Sequence, residues 1–122
     1  MTAAVGEVML RWGFLESVML EKLRECGAEL HATAPPIQQW RRASSQLGPT
    51  FTAWTDEIER AAVIRNLLAH GLGGSRSLPE PEVRCRQAGG DIVTISYRQL
   101  RDAAQEIDLL RLRMHRTAFG CP

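Results

Sequence analysis

The 122-residue chain is predicted to be an all-α bundle of about four helices, with a short β-hairpin inserted before the last helix. Three observations predict it. Apolar residues recur at intervals of three and four over most of the chain, the signature of amphipathic helices. Pro35-Pro36 and Gly48-Pro49 interrupt that pattern and divide it into pieces of helical length. Only between Val83 and Ile95 do short apolar runs flank a turn-forming Ala88-Gly89-Gly90-Asp91. A chain of this size is expected to form one domain, residues 1–122, with a single core.

The first element is a long helix from about Ala3 to Leu30, with Val5, Val8, Met9, Trp12, Leu15, Val18, Met19 and Leu23 as its buried stripe. Phe14 and Leu20 widen the stripe, which implies contact with more than one neighbour. Gly27 frays its end, and Ala34-Pro35-Pro36 breaks the chain. Ile37 to Leu47 reads as a shorter helix anchored by Ile37, Trp40 and Leu47, with Arg41 and Arg42 outward. Phe51 and Trp54 lead into a third helix, Thr55 to His70, with Thr55 as N-cap, acid in the first turn and Gly71 as the C′ residue.

Gly73-Gly74-Ser75-Arg76-Ser77, followed by Pro79 and Pro81, reads as a flexible loop. Val83–Arg86 and Ile92–Ile95 read as the two strands of a hairpin, with Arg84 and Arg86 on one face by period-two alternation. Those arginines extend a phosphate-binding surface or are ordinary solvated side chains. Ser96 and Gln99 have the spacing of a capping box and open a last helix reaching about Arg116. Its buried stripe is Leu100, Ala103, Ala104, Ile107, Leu110 and Met114, beside Leu109 and Leu112. The tail Phe119-Gly120-Cys121-Pro122 reads as loose.

Composition narrows the function classes. An apolar fraction of 44% and a charged fraction of 24% are those of an ordinary globular protein. A net charge of +1 supplies no global basic field, so any nucleic-acid contact must be local. Cys26, Cys85 and Cys121 are odd in number and widely spaced, which indicates neither a disulfide framework nor a zinc site. A reducing cytoplasm is the expected compartment. His31, His70 and His115 lack mutual ligand spacing, so no metal and no cofactor is expected. No secretory signal pattern and no run of ~20 apolar residues is visible, so no membrane partner is expected.

The chemistry-bearing stretch is Arg65-Asn66-Leu67-Leu68-Ala69-His70-Gly71, late in the third helix. At about 100° per residue, Val63, Ile64, Leu67 and Leu68 fall on one side, and Ile58, Ala62, Arg65, Asn66, Ala69 and His70 on the other. Asn66 and His70 stack one turn apart, with Arg65 flanking the alanine strip. That second face mixes alanines with anion-gripping groups, and two copies packed through the alanines would surround one shared cleft.

Arg65-Asn66-x-x-x-His70 is similar to the Arg-x(4–6)-His signature of HEPN domains, small helical proteins that are often metal-independent endoribonucleases and often toxins of toxin–antitoxin pairs. The resemblance implies Arg65 and His70 as active-site residues and Asn66 as the polar residue that commonly follows the arginine. It implies a homodimer through the Arg65–His70 helix, an RNA substrate and, in a toxin-like setting, an antitoxin protein. In a well-known toxin subgroup a tyrosine lies two residues after the histidine; this chain has Leu72 there.

Metal-free RNA cleavage needs a base for the 2′-hydroxyl proton, a cation at the phosphate and an acid for the leaving oxygen. Histidine and arginine supply these roles, and a two-fold dimer supplies two of each. The alternatives are a non-catalytic HEPN-type dimer that binds RNA, nucleotide or a protein partner, or a plain structural role in which His70 merely ends a helix.

Overall fold

The computed structural model describes residues 2–76 and 81–121. Four helices, Thr2–Glu25 (α1), Pro36–Leu47 (α2), Pro49–Gly71 (α3) and Tyr97–Arg116 (α4), surround the core. Between the last two lie Leu72–Arg76 (β1), Glu82–Arg86 (β2) and Ile92–Ser96 (β3). The fold is mainly α, as expected. The hairpin, however, is the outer part of a three-stranded antiparallel sheet in the order β1-β2-β3.

Local chemistry explains most boundaries. α1 stops at Glu25, earlier than expected, in a Schellman motif. Gly27 takes φ 75°, its N–H donates to the Arg24 carbonyl, and the Ala28 N–H donates to the Leu23 carbonyl. Gly27 therefore closes the helix and does not fray it. Gly48 at φ 100° ends α2, and Pro49 immediately opens α3, since proline at the first helical position forfeits no intrahelical donor. α3 thus begins six residues before the expected Thr55, whose hydroxyl donates to the Phe51 carbonyl instead of capping a helix.

α4 begins as expected. The Gln99 N–H donates to Ser96 Oγ at 3.1 Å, and the Ser96 N–H donates to Gln99 Oε1 at 2.8 Å, closing both halves of the capping box.

The core runs between α1 and α4. Val8, Trp12, Leu15, Met19 and Leu23 meet Leu100, Ile107, Leu110 and Met114, all buried. Arg11 pairs with Asp108 and Lys22 Nζ donates to the Thr117 carbonyl, so the two helices run side by side in the same direction. Phe14 and Leu109, expected beside the buried stripes, are exposed.

That parallel arrangement returns the tail to the end of α1. Cys26 and Cys121, 95 residues apart in sequence, form a disulfide, a pairing that their number and spacing did not indicate, and this removes the argument for a reducing compartment. Phe119 stacks on Trp54, with ring centroids 5.6 Å apart, and packs edge-on to Trp40, so the tail is pinned and not loose. Buried Lys22 sits 5.5 Å from the Phe119 ring centre. No helix among the described residues is long and apolar enough to cross a membrane.

The segment expected to be a glycine-rich loop is β1 up to Arg76, and Ser77 and Pro79 lie outside the described residues. Val83 and Cys85 face the core, and Arg84 and Arg86 face outward as predicted. A turn closed by Gln87 N–H to Asp91 O (2.8 Å) joins β2 to β3, with Gly90 at φ 93°.

Candidate functional site at the end of helix three

The burial of α3 places the candidate residues. Its inward stripe is Phe51, Ile58, Ala62 and Leu68. The expected apolar side is only partly right: Val63 is 55% exposed, whereas Ala62, assigned to an outward face, is 1% exposed. Phe51, near the start of the longer α3, packs against Trp40, and Ile58 and Ala62, seven and eleven residues later, fall on the same face by helical periodicity and are buried with it. Ala62, one of the alanines assigned to a dimer contact, therefore belongs to the chain's own core, as does Ile58 of the same face. Val63, Asn66, Ala69 and His70 remain on the outside.

Asn66 and His70, one turn apart and both exposed, open into a shallow concavity of about 320 Å³. Its other walls are Val63, Leu67, Gly71 and the Arg86-Gln87-Ala88 segment at the end of β2. Gly71 makes this junction possible. A β-carbon at residue 71 would run into the carbonyl oxygen of Arg86, so only glycine lets the strand approach the helix end so closely. Gly71 is the last residue of α3, without a positive φ, and not the expected C′ glycine. Among the described residues no carboxylate lines the cleft.

Arg65 goes elsewhere. Its guanidinium carbon lies 5.5 Å from the Trp12 ring centre on α1, and Nη1 donates to Asn66 Oδ1 at 3.1 Å. Nε is buried with no acceptor among the described residues. Glu16, one turn after Trp12, faces the same guanidinium. Burial raises the Glu16 carboxyl above its usual range, against the opposing pull of the Arg65 charge and the Trp12 indole N–H. That indole N–H influences Glu16 but closes no hydrogen bond of good geometry.

The three sequence-predicted residues are thus divided. Asn66 and His70 share the cleft, and Arg65 stands behind it, linked through the Asn66 amide. The Asn66 oxygen is taken by Arg65 and not by His70. Compared with protein-family models, curated proteins and solved structures, the chain matches none.

Trp12 and Glu16 carried no sequence signal for the site, because their relation to Arg65 exists only after α1 and α3 pack. Arg86 did carry one, its outward position on a strand, but nothing in the sequence separated it from Arg84. Among the described residues no three His, Cys, Asp or Glu side chains come together as metal ligands would.

Proposed function

We propose that this chain is a metal-independent endoribonuclease of HEPN type, toxin-like or defence-related, acting as a homodimer. The observation that carries the proposal is the cleft in which His70 and Asn66 stand beside Arg86, with no carboxylate in its walls among the described residues. Such a concavity suits a phosphodiester, because every charged or polar side chain in it can donate to an anion or carry positive charge. In this reading His70 takes the proton of the 2′-hydroxyl, which attacks the adjacent phosphorus. The second copy's imidazole protonates the departing 5′-oxygen, leaving a 2′,3′-cyclic phosphate and a 5′-hydroxyl. Arg65, behind the cleft, holds Asn66 in place through the hydrogen bond to its side-chain oxygen. In a toxin-like setting an antitoxin protein occludes the same cleft.

One observation favours a second reading. Arg65 is committed inside the fold, over Trp12 and beside Glu16, as it would be in a non-catalytic HEPN-type dimer that binds RNA, nucleotide or a protein partner.

The test is incubation of purified protein with total RNA in excess chelator. Wild type is expected to release fragments ending in 2′,3′-cyclic phosphate, and His70→Ala and Arg65→Ala to lose cleavage by about 10²-fold or more. Cleavage that survives either substitution overturns the nuclease reading. RNA retained without cleavage supports the second one.

A further inference from the structure

We propose that Arg86 is the phosphate-contacting arginine of this cleft, and that Arg65 is a positioning residue acting through Asn66. The inference deepens the functional reading above and rests on the same cleft.

The argument begins with what holds each guanidinium. Arg65 is half-buried, lies against the Trp12 ring at 5.5 Å and donates to Asn66. Turning it into the cleft would break the Asn66 bond and leave the half-buried Glu16 carboxylate without its counter-charge. Its attraction for an incoming anion is also partly cancelled by Glu16.

Arg86 has none of these ties. It is exposed, lines the same concavity as His70 and Asn66, and has no ion-pair partner among the described residues. Its backbone is nevertheless fixed: Gly71 packs against it on one side, and the Gln87–Asp91 turn hydrogen bond follows it directly. A freely extendable guanidinium on a rigid backbone fits bidentate capture of a phosphate. Arg84 supplies the contrast. It faces the same side of the strand and is equally exposed, yet it is not part of the cleft wall. Surface charge alone would make the two arginines equivalent; position makes them different.

The experiment measures binding of a fluorescent 2′-O-methyl oligoribonucleotide, which lacks the attacking hydroxyl, by anisotropy over a range of salt. Inorganic phosphate serves as competitor, and circular dichroism confirms the fold of each variant. Arg86→Gln is expected to weaken binding about tenfold and to flatten the slope of log K against log salt by about 0.7, one phosphate's share. Arg86→Lys recovers part of the affinity, and Arg84→Gln stays within about twofold of wild type. Arg65→Gln keeps the affinity, and if wild type cleaves RNA it lowers kcat with little change in KM.

The proposal falls if Arg86→Gln binds as wild type does, if Arg84→Gln loses as much, if Arg65→Gln alone abolishes binding, or if wild type binds neither probe. A wild type that binds in an Arg86-dependent way without cutting RNA overturns only the nuclease reading.

Discussion

Gly71 and Arg86 touch backbone to backbone: the α-carbon that ends α3 lies where any β-carbon would collide with the carbonyl that ends β2. This contact joins the helix carrying Asn66 and His70 to the strand carrying Arg86. Gly71→Ala is therefore expected to destabilise the chain by about 3 kcal/mol, the upper part of the range for overpacking, and to weaken RNA binding as well. Urea unfolding reads the first effect. A variant that unfolds at the wild-type midpoint would show that the strand is not held there.

The Cys26–Cys121 bridge closes a span of 95 residues and traps Phe119 among Trp40, Phe51 and Trp54. Constraining so long a loop in the unfolded chain is expected to contribute about 4 kcal/mol. Cys121→Ser, or a dithiol reductant, lowers the unfolding free energy accordingly. Alkylation in denaturant without reductant labels Cys85 alone; labelling of all three thiols contradicts the bridge.

Asp108 ties α1 to α4, with Arg11 at 3.2 Å and Arg111 at 2.9 Å. Burial pushes its carboxyl upward, but the two guanidiniums outweigh it and hold the carboxyl below its ordinary range. The sign follows: the stabilisation is present above the unfolded value of about 3.9 and disappears as pH falls through the lower folded value. Asp108→Asn is expected to be less stable than wild type at pH 7 by about 1 kcal/mol, after discounting for partial exposure. The two should converge in acid. A gap that persists at pH 2 would assign the loss to packing.

Among the described residues the buried Nε of Arg65 has no acceptor, and an unpaired buried donor costs stability. Replacing the whole charged pair avoids stranding either partner. The double variant Arg65→Met, Glu16→Gln is expected to match wild type in stability or exceed it by about 1 kcal/mol, while losing activity on RNA. A clear loss of stability would make the pair structural.

Local pattern made the helices legible. The intervals of Val8, Trp12, Leu15 and Met19, and of Leu100, Ala103, Ile107 and Met114, are properties of neighbouring residues, as is the Ser96–Gln99 cap, and each is realised. Pro49 was harder to read, because one glycine-proline pair both ends α2 and opens α3. The six residues so added to α3 include Phe51, which marks the buried face that Ile58 and Ala62 share.

The candidate site was legible in part, for the same reason. Asn66 and His70 share a face by helical spacing alone. The direction taken by Arg65 depends on Trp12 and Glu16, some fifty residues earlier, and sequence spacing does not encode that meeting.

The sequence by itself determined the four helices, the exposed arginine face of β2 and the pairing of Asn66 with His70, because hydrogen bonding and hydrophobic periodicity act within a few residues. Only the tertiary structure decided that Leu72–Arg76 becomes a strand, since a Gly-Gly segment has no alternation of its own and pairs because β2 offers it an edge. It also decided that Cys26 meets Cys121 and that Arg86 stands beside His70. Those relations follow from the parallel packing of α1 on α4 and from the missing side chain at Gly71, and both act between residues far apart in the chain.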